Sequence, residues 1–213
     1  FAGDGALAAA IAAEARMTTP VASPKKKESR KADEAGFASF VSSHDGDNSD
    51  GGDATVARRL LQAGADPNEV DQGFPAIVGA AQEGHVNVVR VLVEAGASLE
   101  ATTSDGSTAL LMAAQAGHAD CVEALLKGGA NPNATQKQGG TALMAAAVNG
   151  HANCCHLLLL AGADPTAQAK DPGTGQLYTA LQLAEGHAEA TALLRNPPRA
   201  EASLHRGPEV QPF

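Results

Sequence analysis

The stretch Asp105-Gly106-Ser107-Thr108-Ala109-Leu110-Leu111-Met112-Ala113-Ala114-Gln115-Ala116-Gly117-His118-Ala119-Asp120-Cys121-Val122-Glu123-Ala124-Leu125-Leu126-Lys127-Gly128-Gly129-Ala130-Asn131-Pro132-Asn133 decides the fold. Thr108 stands where a helix N-cap is wanted, and Gly117 stops the helix that follows it. A second helix is predicted from about Ala119 to Lys127, with Cys121, Val122, Leu125 and Leu126 on one stripe. Gly128 and Gly129 end it, and Asn131-Pro132-Asn133 supplies a turn. Neither helix is long enough to be stable alone, and neither buries its apolar face without a neighbour.

The neighbours are copies. Gly-His occurs at Gly84-His85, Gly117-His118, Gly150-His151 and Gly186-His187, at spacings of 33, 33 and 36. A small-Gly-Ala triplet ends at Ala65, Ala97, Ala130 and Ala163, at spacings of 32, 33 and 33. Thr-Ala-Leu recurs at Thr108, Thr141 and Thr179, with Pro75-Ala76-Ile77 in the equivalent place before them. Three markers sharing one period make this a repeat protein. Alanine pairs at Ala80-Ala81, Ala113-Ala114 and Ala146-Ala147 keep the same register, so small side chains face each other across each joint.

These residues resemble the ankyrin repeat, whose pattern runs Asp-Gly-x-Thr-Pro-Leu-His-x-Ala-Ala-x-x-Gly-His, then an apolar helix, then Gly-Ala-Asp-x-Asn. Asp105 to His118 follows it, as do Ala63-Gly64-Ala65-Asp66-Pro67-Asn68 and Gly129-Ala130-Asn131-Pro132-Asn133. The resemblance covers about residues 54 to 195 and implies an all-α solenoid of about five helix-turn-helix units, the first degenerate and the last a shortened cap, with extended terminal segments. The family's proline and histidine are replaced by Ala109, Ala142 and Ala180 and by Leu111, Met144 and Gln182, so weaker helix starts are expected. The last unit, Thr179 to Arg195, has a first helix two residues shorter, and a longer loop from Lys170 to Gly175 precedes it.

Composition agrees. Of 213 residues 44% are apolar, yet 46 are alanine and only six are aromatic, so the core must be thin. That argues against an aromatic-lined pocket for small-molecule chemistry. The longest apolar run, Ala6 to Ala13, is far short of the ~20 residues of a membrane span. A net charge of −9 disfavours nucleic acid and anionic lipid as partners. Three cysteines, Cys154 and Cys155 adjacent, make no disulfide framework and point to a reducing compartment, cytoplasmic or organellar. The sequon at Asn133 is read as chance.

Three segments are expected: an alanine-rich and basic extension over 1–31, a repeat domain over 32–196, and a proline-containing tail over 197–213. Within the domain, Ala32 to His44 is read as the first helix of the degenerate opening repeat, paired with Asp53 to Gln62 across an acidic insertion at Asp45 to Asp53. That insertion lacks the glutamate at position 12 of a calcium loop, because Val56 or Arg58 stands there. His151 and Cys155 share a helix face as a metal pair would, but Cys121 and Cys154 fall where Val88 stands in the earlier unit, which makes them core residues. The Gly-His histidines recur by register and so read as structural. No nucleophile elbow, phosphate loop or His-Glu-x-x-His sequence is present, and neither an enzyme nor a cofactor or metal site is expected. The basic run Lys25 to Lys31 reads as a solvated linker. Phe1-Ala2 in an alanine-rich leader resembles secondary-plastid targeting, with a fragment or a removed presequence as the two readings of the missing methionine.

The family resemblance implies a protein partner, docked on the turn tips and the exposed side of the first helices. Carried onto this chain, its variable positions are Val70, Gln72, Phe74, Gln82 and Glu83 in the second unit. The third unit offers Thr102, Ser104, Asp105, Ser107, Gln115 and Ala116, and the fourth Thr135, Lys137, Gln138, Val148 and Asn149. Phe74 and Val148 are the candidate anchors, with Phe74 folded back onto Pro75 and Ile77 as the competing reading. The expected function is a non-catalytic protein-binding adaptor. The alternative is an accessory subunit of a large organellar assembly, plastid membrane included, with its tails ordered against neighbours.

Overall fold

The computed structural model describes residues 52–71, 73–171 and 173–198. The terminal extension, the acidic insertion up to residue 51, the helix expected over 32–44, Phe37, Phe40 and the tail beyond 198 lie outside the described residues, as does Gln72. Helix α1 (Gly52–Gln62) opens the described chain, and the hairpin β1 (Val70–Asp71) and β2 (Phe74–Pro75) follows. Three helix pairs come next: α2 (Ala76–Gln82) with α3 (Val86–Glu94), α4 (Ala109–Ala116) with α5 (Ala119–Lys127), and α6 (Ala142–Val148) with α7 (Ala152–Leu160). The hairpin β3 (Gln168–Lys170) and β4 (Leu177–Thr179) leads to the last pair, α8 (Ala180–Leu183) and α9 (Ala188–Arg195).

The pairs stack in two layers. First helices α2, α4, α6 and α8 pack each against the next, and second helices α1, α3, α5, α7 and α9 do the same behind them. Six alanines, Ala80, Ala81, Ala113, Ala114, Ala146 and Ala147, are 0% exposed and form the seam of the first layer. Behind it Leu92, Leu125, Leu126 and Leu158 are buried too. Small side chains let backbones approach, and leucines fill the wider space between layers.

Local chemistry sets the element ends. Thr108, Thr141 and Thr179 each accept a backbone N–H three residues on, at 3.3, 3.3 and 3.5 Å. Gln182, in the histidine's place, closes a full capping box with Thr179. At the turns after the second helices a ladder of side-chain acceptors joins the units. Ser98 N donates to Asn68 Oδ1 (2.7 Å), Asn131 N to Glu100 Oε1 (2.8 Å) and Asp164 N to Asn133 Oδ1 (2.8 Å). The last first helix is short, four residues against eight in α4, and its hairpin is long, as the spacing of 36 requires.

Candidate protein-binding edge

Each of the second helices α1, α3, α5 and α7 is followed by a turn and a short antiparallel hairpin, here called a finger, that leads into the next first helix. Two fingers are two-stranded, and the middle two are held by single bridges, Thr102 to Thr108 and Thr135 to Thr141. The last three fingers are tied to one another through backbone. Lys137 N donates to the Asp105 carbonyl and Lys170 N to the Gln138 carbonyl, both at 3.2 Å. Gly106 permits the first contact: its φ is +89°, and a Cβ there would lie 3.1 Å from Lys137 N. Inside the second finger Ser107 Oγ donates to Asp105 Oδ2 at 2.6 Å and lies 3.3 Å from Gln136 Oε1 of the next, while the Thr103 hydroxyl donates to Asp105 Oδ1. Partial burial works against a charge on Asp105, but the bonds from Ser107 and Thr103 outweigh it and hold the carboxyl below the usual carboxylate range.

At the other end of the first helices stand the Gly-His pairs. The Nε2 of His118, His151 and His187 donates to the carbonyls of Gln82, Gln115 and Val148 in the preceding unit, at 3.1, 3.2 and 3.2 Å. The structural role read from their register is the one they have. Each ring lies over the preceding unit's glycine: a Cβ on Gly117, whose φ is +84°, would come within 2.6 Å of the His151 ring. Metal ligation by His151 and Cys155 therefore finds no support, with one ring nitrogen on a carbonyl and the thiol buried. Cys121, Cys154 and Cys155 are all 0% exposed. Burial pushes their thiols up to about 12, 11 and 12, well away from reactive thiolates. Among the described residues no three His, Cys, Asp or Glu side chains gather as a metal group would, and no helix is long and apolar enough to cross a membrane.

Most of the surface positions expected for a partner are open. Val70, Glu83, Thr102, Ser104, Asp105, Ala116, Thr135, Lys137 and Asn149 are exposed, and Gln82, Gln115 and Gln138 are half-buried. Ser107 is not open. It is 2% exposed, because its hydroxyl is folded into the Asp105 and Gln136 network. The two expected anchors are also drawn inward: Phe74 and Val148 are half-buried and pack against the core. The large apolar side chains that do face solvent on the fingers are Val70, 56% exposed, and Leu177, 55% exposed. Leu177 was not among the expected residues. It lies in the inserted part of the last finger, where no repeat counterpart assigns it a face, and only its place one residue before Tyr178-Thr179 and the helix marks it as strand.

Three overlapping stretches, residues 48–136, 96–169 and 129–204, match the family model described as ankyrin repeats (3 copies). The chain belongs to the ankyrin-repeat family. No curated protein matches it beyond that family description. Ankyrin repeats are in general protein-protein interaction modules, and in this one the two layers and the histidine joints are occupied with stacking. The fingers and the adjoining ends of the first helices form the edge that is left.

Proposed function

We propose that this ankyrin-repeat protein is a non-catalytic adaptor that grips a partner protein along the finger row. Val70 and Leu177 are the apolar anchors, and Thr102, Ser104, Thr135 and Lys137 the polar contacts between them. One observation carries the reading. The last three fingers are braced through their backbones, and the large exposed apolar side chains stand on the first and last of the four. Bracing lowers the ordering entropy lost on association, and exposed aliphatic side chains at the two ends of the row supply apolar area for a partner to bury. The tips also carry both signs of charge, Asp105 and Lys137 on neighbouring fingers, which suits a mixed protein surface better than a polyanion.

The test is affinity capture with the full chain as bait, read by mass spectrometry. A Val70→Ser, Leu177→Ser double variant is expected to lose the captured protein. An Asn153→Ala, His156→Ala variant, on the exposed side of α7, is expected to keep it. Equal loss from both variants would count against a finger-edge site. Capture of a whole assembly, unchanged by the finger variants, would favour a fixed subunit of a larger complex.

A further inference from the structure

The last finger is longer than stacking requires. Its strands β3 and β4 pair three residues each, where the second and third fingers hold with one bridge. β3 is already taken. Its Lys170 N–H goes to the Gln138 carbonyl of the third finger at 3.2 Å, continuing the tie from Lys137 to Asp105. β4 lies on the other side, and no further finger follows it among the described residues. The adjoining helix shows the same open side. Leu181 of α8 is half-buried, whereas Leu110 and Leu143, its counterparts in the two preceding units, are 1% and 0% exposed.

Antiparallel pairing fixes where the β4 backbone points. A residue turns its N–H and its C=O to one side of the strand, and successive residues alternate. Asp171 N donates to the Gln176 carbonyl at 2.9 Å, so that pair faces inward. The next pair, Lys170 and Leu177, therefore faces outward on both strands, and Lys170 does so by reaching the third finger. Thr179 turns the same way as Leu177 and gives its N–H to Gln182 Oε1 at 2.9 Å. The Leu177 N–H and C=O are left with no partner among the described residues. Natural edge strands are commonly guarded by charge or proline, and Leu177-Tyr178-Thr179 has neither.

We propose that an extended segment of the partner protein adds to this edge as a third strand, bonded to the Leu177 N–H and C=O, with an aliphatic side chain against Leu177 and a carboxylate directed to Lys170. This occupant presupposes the finger-row grip proposed above and gives the partner a form and a chemistry. The edge continues the backbone ties that already join one finger to the next, so it offers the next bond of the same kind. Lys170 and Leu177 are directly opposed, so their side chains stand on one face of the hairpin, and both are exposed. Lys170 has no ion pair among the described residues. A strand added beyond Leu177 lies about 10 Å from Lys170, two strand spacings, which a lysine and a glutamate span together. A basic and aliphatic face selects an acidic and aliphatic segment.

The test uses the full chain, with a displayed library of random short peptides as the probe. Peptides that bind are expected to carry an aliphatic residue and a carboxylate on one face of a strand, and to slow amide exchange at Leu177 while leaving 152–160 unchanged. N-methylating a bound peptide residue by residue is expected to lower affinity about tenfold at the residue opposite Leu177 and hardly at its immediate neighbours, because only alternate residues turn their N–H to β4. Leu177→Pro removes the outward N–H without touching the β3–β4 bonds and should weaken binding equally. Lys170→Glu should turn the selection from acidic peptides to basic ones. Bound peptides whose N-methyl series shows no alternation would overturn the proposal, as would a selection from which no peptide slows Leu177. Peptides that protect 101–108 and 134–141 instead would overturn the added strand but keep the finger row as the binding edge. Protection of 86–94, 119–127 and 152–160 alone would overturn both. Should Leu177→Pro unfold the finger, the N-methyl series decides alone, since it leaves the protein unaltered.

Discussion

Between Thr102 and Lys127 most residues are buried or half-buried, whereas between Gln168 and Arg195 more than half of the described residues are exposed. The internal unit has a first helix of eight residues with five buried; the terminal one has four residues with two buried. His118 is half-buried while His187 is exposed. The internal finger is a single bridge, and the terminal finger pairs three residues on each strand. The difference teaches that one repeat pattern has two outcomes, set by whether a unit has neighbours on both sides. Stacking uses the side chains of internal units, and the fingers and the end units keep more of theirs exposed.

The largest break in that contrast should come from the core. Leu125→Ala in the middle of the stack is expected to lose ~2–5 kcal/mol, because a fully buried leucine leaves a cavity that helices locked on both sides cannot close. Leu193→Ala in α9, half-buried, should lose only about 1 kcal/mol. Equilibrium denaturation of both variants decides, and equal losses would mean that the terminal unit is as tightly held as the internal one.

A matched pair of glycines sharpens the same point. Gly117→Ala puts a Cβ into the His151 ring at a positive φ and should cost ~2–3 kcal/mol, strain and a displaced hydrogen bond together. Gly186→Ala has a φ of +99° but nothing within 4 Å, so it should cost only the strain, ~1 kcal/mol. A shift in the His151 ring resonances should accompany the first substitution and be absent from the second.

The stacking repeat could be read closely from sequence, and the reasons are local. Helices α4 and α5 begin and end where Thr108, Gly117 and the Gly128-Gly129 pair place them, because caps act on their own backbone. The alanine seam was equally clear, since a side chain in register with its copies must face them. The binding edge was less legible. The fingers depend on bonds between residues about 30 positions apart, such as Lys137 N to the Asp105 carbonyl, and no short-range pattern announces those. Ser107 turned inward because two partners converge on its hydroxyl. Leu177 lies in an insertion, where the period assigns nothing.

Phe74 and Leu177 test that part directly. Phe74→Ala should lower stability by about 1–2 kcal/mol because the ring packs on the core, while Leu177→Ala should change it by less than ~0.5 kcal/mol. The order should reverse when partner affinity is measured. Smallest of all is the finger carboxylate. Asp105 has its pKa lowered on folding, so its contribution is present above the unfolded value near 4 and fades as pH falls through the folded one. Asp105→Asn should therefore destabilise slightly at pH 7, by less than about 1 kcal/mol because the site is largely exposed, and progressively less as pH falls below the unfolded value.

The central claim is that the finger row is the binding edge. Hydrogen exchange of the full chain, with and without its captured partner, tests it most directly. The account predicts new protection over residues 68–75, 101–108, 134–141 and 168–179, with no change over the second helices at 86–94, 119–127 and 152–160. Protection of those second helices with the fingers unchanged would contradict it.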